Sequence, residues 1–300
     1  MTELLEGITQ GDARSIARAA TLIENRDPKA DRLLRDLFPR TGRATVVGIT
    51  GATGAGKSTL ASALVALLRA EDQRVGVLAV DPTSPFTGGA ILGDRIRMQA
   101  HHADPHVFIR SMATRGVMGG LAAATADLAL LLDAAGYEWI LVETVGVGQD
   151  EIDIARLADV TVLVLVPNLG DDVQALKAGI LEIADVYAIN KSDLNGAAKL
   201  QGELEGMLAL AGMRGAWTPP MVRTVAGSGQ GAPELLAAVR AFLAACPKRR
   251  RSALHWSFRL REMYAARALA RLDNARVDAA AARVAAREQD PYSIVEEWLS

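Results

Sequence analysis

A glycine-rich segment followed by lysine and serine has the residue types and spacing of a phosphate-binding loop. Residues 51–58 read G-A-T-G-A-G-K-S and match the pattern G-x-x-x-x-G-K-[ST]. Because glycine has no side chain, backbone N–H groups in such a loop can close around phosphate oxygens. Lys57 can reach the β- and γ-phosphates, and the Ser58 hydroxyl can ligate magnesium. The predicted phosphate-binding residues are Gly51, Ala52, Gly54, Ala55, Gly56, Lys57, Ser58 and Thr59.

Acidic residues that could organise a metal ion follow two of the predicted strands. Glu143 closes an apolar strand, and Gly146 follows three residues later. In this arrangement the acid orders the metal or its waters, and the glycine N–H lies near the γ-phosphate. Asp81 closes another strand, and Asp94 lies in the irregular stretch after it. Since Mg²⁺ prefers oxygen ligands and usually retains waters, we expect one or two of these carboxylates to join Ser58.

The residues Asn190, Lys191, Ser192 and Asp193 form an N-K-x-D pattern directly after a predicted buried strand. A carboxylate at Asp193 can accept hydrogen bonds from the N1–H and 2-amino groups of guanine, and adenine has neither donor there. A site built around such bonds rejects an analogue that lacks them by orders of magnitude. The pattern therefore predicts GTP as the nucleotide, and Ala226, after the last strand, could offer a backbone N–H to guanine O6.

A glutamine is missing from the position where Ras-like enzymes orient the attacking water. That glutamine directly follows the switch glycine, whereas the residue here is Val147 and the nearest glutamine is Gln149. We therefore expect slow intrinsic hydrolysis until another element or another protein completes the site.

The segments around these motifs alternate between short apolar strands and helices. Strands are predicted over 44–49, 75–80, 107–110, 139–143, 160–166, 186–189 and 221–225, and helices over 57–70, 95–102, 120–135, 151–157, 172–183, 195–211 and 232–245. Near-continuous apolar strands that alternate with helices predict a three-layer α/β fold with a mostly parallel sheet. Ligands bind beyond the carboxyl ends of the strands in such sheets, and the motifs above all lie there.

Three regions are predicted along the chain: an N-terminal helical annex over 1–42, a P-loop nucleotide-binding domain over 43–247, and a C-terminal helical arm over 248–300. In the annex, Asp12 is placed to cap one helix, and Pro28 follows Asp27 at the start of another.

The arm is predicted to be one long helix up to residue 289, because its pattern stays helical until Asp290 and Pro291. A helix of that length cannot be buried against a sheet that is already covered. It either packs as a strut along the domain or joins two subunits, and its apolar residues favour the subunit contact.

Composition excludes several classes of protein. The chain has 300 residues, of which 50% are hydrophobic, and a net charge of −2. The charge gives no reason to expect a nucleic-acid or membrane-surface partner, and no apolar run reaches transmembrane length. The single Cys246 fits a reducing compartment, and the acidic N-terminus does not read as a targeting peptide. We therefore expect a cytoplasmic protein.

Together, these motifs resemble those of the MeaB/ArgK family of P-loop GTPases. The resemblance covers almost the whole chain, and its most specific stretches are D-P-T-S-P-F-T-G-G-A-I-L-G-D-R-I-R-M at 81–98 and G-D-D-V-Q-A-L-K-A-G-I at 170–180. It implies a GTPase chaperone that gates cofactor loading of an adenosylcobalamin-dependent acyl-CoA mutase and protects the mutase from inactivation. It also implies a homodimer joined by the C-terminal arm.

The resemblance also implies individual roles. It assigns Lys57 to the phosphates, Ser58, Asp81, Asp94 and Glu143 to magnesium, and Asn190 and Asp193 to guanine. It marks Asp171, Gln174 and Lys177 as an additional switch that contacts the mutase; spacing alone would indicate only a capped helix there. Lys57, Glu143, Gln174 and Lys177 are thus the residues expected to act in hydrolysis. Two positions differ from the family pattern, namely Thr53, where proline is more common, and Val225, where serine is more common.

Two other functions are compatible with a phosphate-binding loop. A P-loop kinase acting on a small molecule would prefer ATP, which the N-K-x-D pattern disfavours. A nickel-insertion GTPase would need a cluster of histidines and cysteines that this chain lacks. The motifs do not identify which acyl-CoA mutase is the partner.

Overall fold

The computed structural model describes residues 1–81, 98–113, 120–144, 150–167, 181–210, 217–246, 253–269 and 271–299. The chain divides into two compact units, Met1–Ser252 and Ala253–Ser300. The predicted annex and the predicted nucleotide-binding domain both lie in the first unit.

A parallel sheet forms the centre of the first unit. Its seven strands are β1 (Thr45–Gly51), β2 (Val75–Asp81), β3 (Val107–Ala113), β4 (Trp139–Glu143), β5 (Val160–Leu165), β6 (Val186–Ile189) and β7 (Met221–Arg223). Their order across the sheet is β3-β2-β4-β1-β5-β6-β7, and every neighbouring pair is parallel. The parallel sheet predicted from the sequence is confirmed. Because β1 lies between β4 and β5, the carboxyl ends of these strands meet at one edge.

Helices cover both faces of this sheet. They are α1 (Thr2–Thr9), α2 (Ala13–Glu24), α3 (Pro28–Leu37), α4 (Lys57–Ala70), α5 (Gly120–Ala134), α6 (Asp150–Leu157), α7 (Ala197–Leu210) and α8 (Ala232–Ala245). Successive residues of a strand point to opposite faces. Accordingly, Val46 of β1 packs in an apolar cluster with α1, α2, α3, α5 and α6, whereas Val47 packs in a second cluster with α4 and α8. The predicted three-layer arrangement is therefore confirmed.

The N-terminal helices are joined to the sheet by polar contacts as well as by apolar packing. Arg110 of β3 donates to both carboxylate oxygens of Glu24 in α2, at 2.8 and 2.6 Å, and these bonds raise the pKa of Arg110. The predicted helix caps are also present, since Asp12 accepts from the Ser15 N–H and Asp27 accepts from the Lys29 N–H.

A buried carboxylate determines where the annex ends and β1 begins. Asp133, near the end of α5, is only 3% exposed. Its two oxygens accept hydrogen bonds from the backbone N–H groups of Gly42, Arg43 and Ala44, at 2.7, 3.1 and 3.0 Å. The residues that lead into the central strand are therefore held by one side chain from across the fold.

Some predicted boundaries differ from the observed ones. β1 extends to Gly51, two residues beyond its predicted end, and β7 ends at Arg223 instead of residue 225. The chain turns after β7, because Val225 forms an isolated antiparallel bridge with Gln230. The predicted helices over 95–102 and 172–183 lie largely outside the described residues.

The second unit contains α9 (Ala253–Leu269), α10 (Asn274–Ala285) and α11 (Pro291–Leu299). The prediction of one long helix up to residue 289 was wrong. The reason is a local cap: Asp273 has an extended backbone, and its side chain accepts from the Ala275 N–H at 3.0 Å, which starts a new helix. Asp290 caps α11 in the same way. No helix among the described residues has the length and apolar character needed to cross a lipid bilayer.

The Asp133 carboxylate provides a test of how the annex is attached. Replacing Asp133 by asparagine turns one acceptor oxygen into a donor that faces backbone N–H groups. Hydrogen bonds to a charged group contribute about 1.5 to 3 kcal/mol, so we expect Asp133→Asn to lower the free energy of unfolding by about that amount. Asp36→Asn, at an exposed position of α3, is the matched control. Equal urea denaturation midpoints for both variants would contradict this account.

Candidate functional site

The three glycines of the phosphate-binding loop are favoured by backbone conformation, and two of them are also required by space. Gly51, Gly54 and Gly56 have φ angles of 138°, 79° and 90°, and residues other than glycine rarely adopt such values. A Cβ atom on Gly51 would lie 2.1 Å from the Val164 carbonyl oxygen, and one on Gly56 would lie 2.4 Å from Asn190 Nδ2. The loop is therefore packed against β5 on one side and against the residue after β6 on the other.

Lys57, the first residue of α4, lies against this loop. Its side chain is largely buried, and Nζ donates to the carbonyl oxygens of Gly51 and Ala52, at 2.7 and 2.9 Å. The ammonium group is thus held beside the N-terminus of α4, where backbone N–H groups and the helix dipole favour an anion. Of the other predicted loop residues, Ala55 is buried, and Thr59 is exposed.

A hydroxyl and a carboxylate meet at the end of β4. Ser58 Oγ donates to Glu143 Oε1 at 2.6 Å, and both residues are buried. The sheet brings them together because Glu143 is paired with Ile49 of β1, two residues before the loop. Hydroxyl and carboxylate oxygens are the ligands that Mg²⁺ prefers, so the chemistry of this pair fits the predicted ion.

The remaining predicted metal and switch residues are only partly described. Asp81 is the last residue of β2, the strand beside β4, and so lies at the same edge of the sheet. The other predicted residues lie outside the described part of the chain: Asp94, Gly146, Asp171, Gln174 and Lys177.

Asn190 joins the phosphate-binding loop to the loop after β7. Its Nδ2 donates to the Ala55 carbonyl at 2.7 Å, and its Oδ1 accepts from Thr224 Oγ1 at 3.1 Å and from the Ala226 N–H at 3.0 Å. The side chain is only 1% exposed. These contacts are all within the protein, so Asn190 positions both loops, and its predicted contact with guanine stays a prediction. The same applies to the Ala226 N–H.

Lys191 and Asp193 are placed differently from Asn190. Lys191 has a left-handed backbone, with φ of 54°, and its Nζ donates to the Gly54 carbonyl at 3.0 Å. Asp193 is exposed, and among the described residues it forms no hydrogen bond. Its carboxylate is therefore available to a ligand, whereas the Asn190 amide is already engaged.

The sequence patterns did not predict the role of Thr224, which supports this region. Thr224 bonds through its hydroxyl to Asn190, and its carbonyl accepts from both the N–H and the hydroxyl of Ser192, each at 3.1 Å. A sequence signal did exist, because Thr224 is a hydroxyl-bearing residue directly after a strand that ends at the ligand-binding edge.

A glycine-rich loop between a parallel strand and a helix, with an N-K-x-D turn packed against it, defines a P-loop nucleoside triphosphatase of the guanine-binding class. The family model described as "Methylmalonyl Co-A mutase-associated GTPase MeaB" matches residues 16–275, and the chain belongs to this family. The predicted family membership is confirmed, and the protein is a GTPase that binds guanine nucleotides.

Individual relatives agree with this assignment. A Pyrococcus abyssi protein named as a GTPase is 56% identical over 236 residues, which are 78% of this chain and 73% of the relative. The mouse mitochondrial methylmalonic aciduria type A homolog is 36% identical over 257 residues, 80% of this chain and 62% of the mouse protein. A crystal structure of an LAO/AO transport system kinase matches with a TM-score of 0.72 and 27% identity, and the match covers 99% of this chain and 95% of that one.

The different surroundings of Asn190 and Asp193 predict different effects of substitution. Asn190→Ala removes the contacts that hold two loops together, so we expect affinity for GDP and for xanthosine diphosphate to fall alike, by about ten- to a hundredfold. Asp193→Asn replaces an acceptor by an amide, so preference should move from GDP toward xanthosine diphosphate. Calorimetric titration of each variant with both nucleotides measures this.

Asn195→Ala, at an exposed position on the same turn, is the control for this comparison. The assignment is wrong if Asn190→Ala changes only the choice of base, or if Asp193→Asn still prefers GDP.

Proposed function

We propose that the protein is a GTP-hydrolysing switch that gates the loading or repair of adenosylcobalamin in a partner acyl-CoA mutase. The observation that carries this proposal is the match to a mutase-associated GTPase family over 16–275. The mouse relative is named for methylmalonic aciduria, which points to the same metabolic step. The fully formed phosphate-binding loop and N-K-x-D turn supply the nucleotide dependence that such a switch needs.

Within the GTP site, we assign the phosphates to the loop 51–59 and Lys57, and guanine recognition to Asp193. We further assign a Mg²⁺ ion to Ser58, Glu143, Asp81 and Asp94. The buried contact between Ser58 Oγ and Glu143 Oε1 supports the first two metal ligands. When bound, the ion would neutralise charge on the β- and γ-phosphate oxygens. Lys57 would add its own charge from the loop side. Of the assigned ligands, Asp81 and Glu143 are the last residues of two neighbouring parallel strands.

Hydrolysis by the isolated protein should be slow, because Val147 occupies the place where a water-orienting glutamine would stand. We assign the missing function to Gln174 and Lys177, on the stretch that the family resemblance marks as a switch. The mutase would stimulate hydrolysis by favouring one arrangement of that stretch. By linkage, GTP would then change the affinity of the protein for the mutase by a reciprocal factor.

The second unit supports a further part of the proposal, namely a homodimer. On α9, Leu260, Tyr264 and Leu269 are 60%, 79% and 67% exposed. Leu260 and Tyr264 are four residues apart and so share one face of the helix, and large apolar side chains exposed together are typical of interaction surfaces. We therefore propose that two copies associate through α9.

A small-molecule kinase is the second candidate, because the matched crystal structure is described as a transport system kinase. A kinase would transfer the γ-phosphoryl group to an acceptor, whereas a GTPase releases inorganic phosphate into water. Measuring released phosphate against consumed GTP separates the two.

The mutase coupling is tested by single-turnover GTP hydrolysis with and without an adenosylcobalamin-dependent acyl-CoA mutase that co-purifies with the protein. Completing such a site is worth at most about three to five powers of ten in rate. We expect Lys177→Ala to keep its affinity for GDP, because Lys57 and Asp193 determine binding, and to lose most of the stimulation. The matched control is Lys199→Ala, a lysine that is 82% exposed on α7. Equal stimulation of the Lys177 variant and the unmodified protein would reject this coupling.

The dimer is tested by light scattering of the full chain at micromolar concentration. We expect a dimer, and we expect Tyr264→Asp to dissociate it, because a carboxylate would be desolvated in an apolar contact. Tyr292→Asp, which changes an equally exposed tyrosine on α11, is the matched control. A monomeric unmodified protein would contradict the proposal.

A further inference from the structure

Two buried threonines join the ends of β1 and β4. Thr50 directly precedes Gly51, and Thr144 directly follows Glu143. Thr144 Oγ1 donates to Thr50 Oγ1 at 3.0 Å, and the two residues are 3% and 0% exposed. The Thr144 N–H also donates to the Ile49 carbonyl at 3.1 Å. The pairing of the strands therefore continues one residue beyond β4, up to the residue that bears the hydroxyl.

The hydroxyl pair lies on the opposite face of the sheet from α4 and the Glu143 side chain. Side chains alternate along a strand, and a Cβ on Gly48 would meet Ile154 and Ala158, at the α6 side. Thr50, two residues after Gly48, shares that face. Glu143 lies on the other face, where its carboxylate meets Ser58 at the start of α4. The two contacts thus hold the end of β4 from both sides.

This arrangement gives the threonines an effect on a carboxylate that they do not touch. Glu143 is the last residue of β4 and is paired with Ile49 of β1 and Ala79 of β2. Among the described residues, the contacts of Thr144 with Ile49 and Thr50 extend this restraint by one residue. A displacement of about 1 Å in a reacting group can reduce a rate about a hundredfold. A bond between two buried hydroxyls on the far face limits rotation of the strand end and therefore limits movement of Glu143.

We propose that Thr50 and Thr144 are a positioning pair for GTP hydrolysis, which holds Glu143 in place against Ser58. The inference rests on the proposed metal role of Glu143. Neither threonine contacts the nucleotide in this proposal, so affinity for GDP without Mg²⁺ should be independent of the pair.

The test compares Thr50→Val, Thr144→Val, the double variant and Thr144→Ser. Each is assayed for single-turnover GTP hydrolysis over a range of Mg²⁺ concentrations and for its denaturation temperature. We expect each single valine variant to hydrolyse GTP about ten- to a hundredfold more slowly and to need more Mg²⁺ for half-maximal rate. Thr144→Ser should restore both values, because it keeps the hydroxyl.

The double variant separates positioning from stability. Removing one hydroxyl leaves a buried polar group unpaired, whereas removing both leaves none, so the denaturation temperature should recover in the double variant. Hydrolysis should stay slow, since the bond between the strand ends is still absent. Thr161→Val, a buried threonine near the start of β5, is the control and should not change the Mg²⁺ dependence.

Two results would overturn the inference. If hydrolysis recovers together with the denaturation temperature in the double variant, the pair contributes only to stability. If the single variants show an unchanged Mg²⁺ dependence while the unmodified protein requires Mg²⁺, the pair does not position Glu143. Failure of the proposed metal role of Glu143 is distinguishable, because Glu143→Gln in the same assay would then keep the Mg²⁺ dependence of the unmodified protein, and the inference would fail with it.

Discussion

One buried amide connects the two halves of the nucleotide site. The Asn190 side chain bonds to the Ala55 carbonyl on one side and to Thr224 and Ala226 on the other. It also explains a neighbouring residue type, since a side chain on Gly56 would collide with its Nδ2. The loop that surrounds phosphates and the loops around the base are therefore not independent structures. A movement of either one can be transmitted to the other through the buried Asn190 side chain. Lys191, whose Nζ donates to the Gly54 carbonyl, adds a second contact with the phosphate-binding loop.

The two faces of the central strand β1 have different roles. On one face, Val47 and Ile49 pack with α4, and the same face presents Glu143 to Ser58. On the other face, Val46 packs with the N-terminal helices and α5, and Asp133 holds the chain that enters the strand. Chemistry is thus concentrated on one side of β1, while the other side provides anchoring. Parallel strands buried on both faces allow this division.

Local patterns were enough to predict most of the strands and helices and the edge of the sheet at which the described candidate residues lie. The glycine spacing before Lys57 and the acid at Glu143 each depend on neighbours in sequence, and the structure places them at one edge as expected. The contacts that escaped prediction join residues far apart in the chain, such as Thr50 with Thr144 and Asp133 with Gly42. Such pairs produce no periodic pattern in the sequence. Without knowledge of its partner, a single polar residue is interpreted as a turn or cap residue. The helix break at Asp273 was also missed. The sequence on both sides of it has a strong helical pattern, and the N-cap at Asp273 is a local signal within that pattern.

The ion pair between Arg110 and Glu24 has a consequence for how the sheet is assembled. β3 is the outermost strand on its side, and an outer strand has only one neighbour to align it. A slip of one residue would exchange its faces, which would move Arg110 from the acid on α2 into the apolar layer around Val75 and Val77. An unpaired guanidinium there is strongly unfavourable. The ion pair therefore favours the correct register of β3, because only that register gives the Arg110 charge a partner.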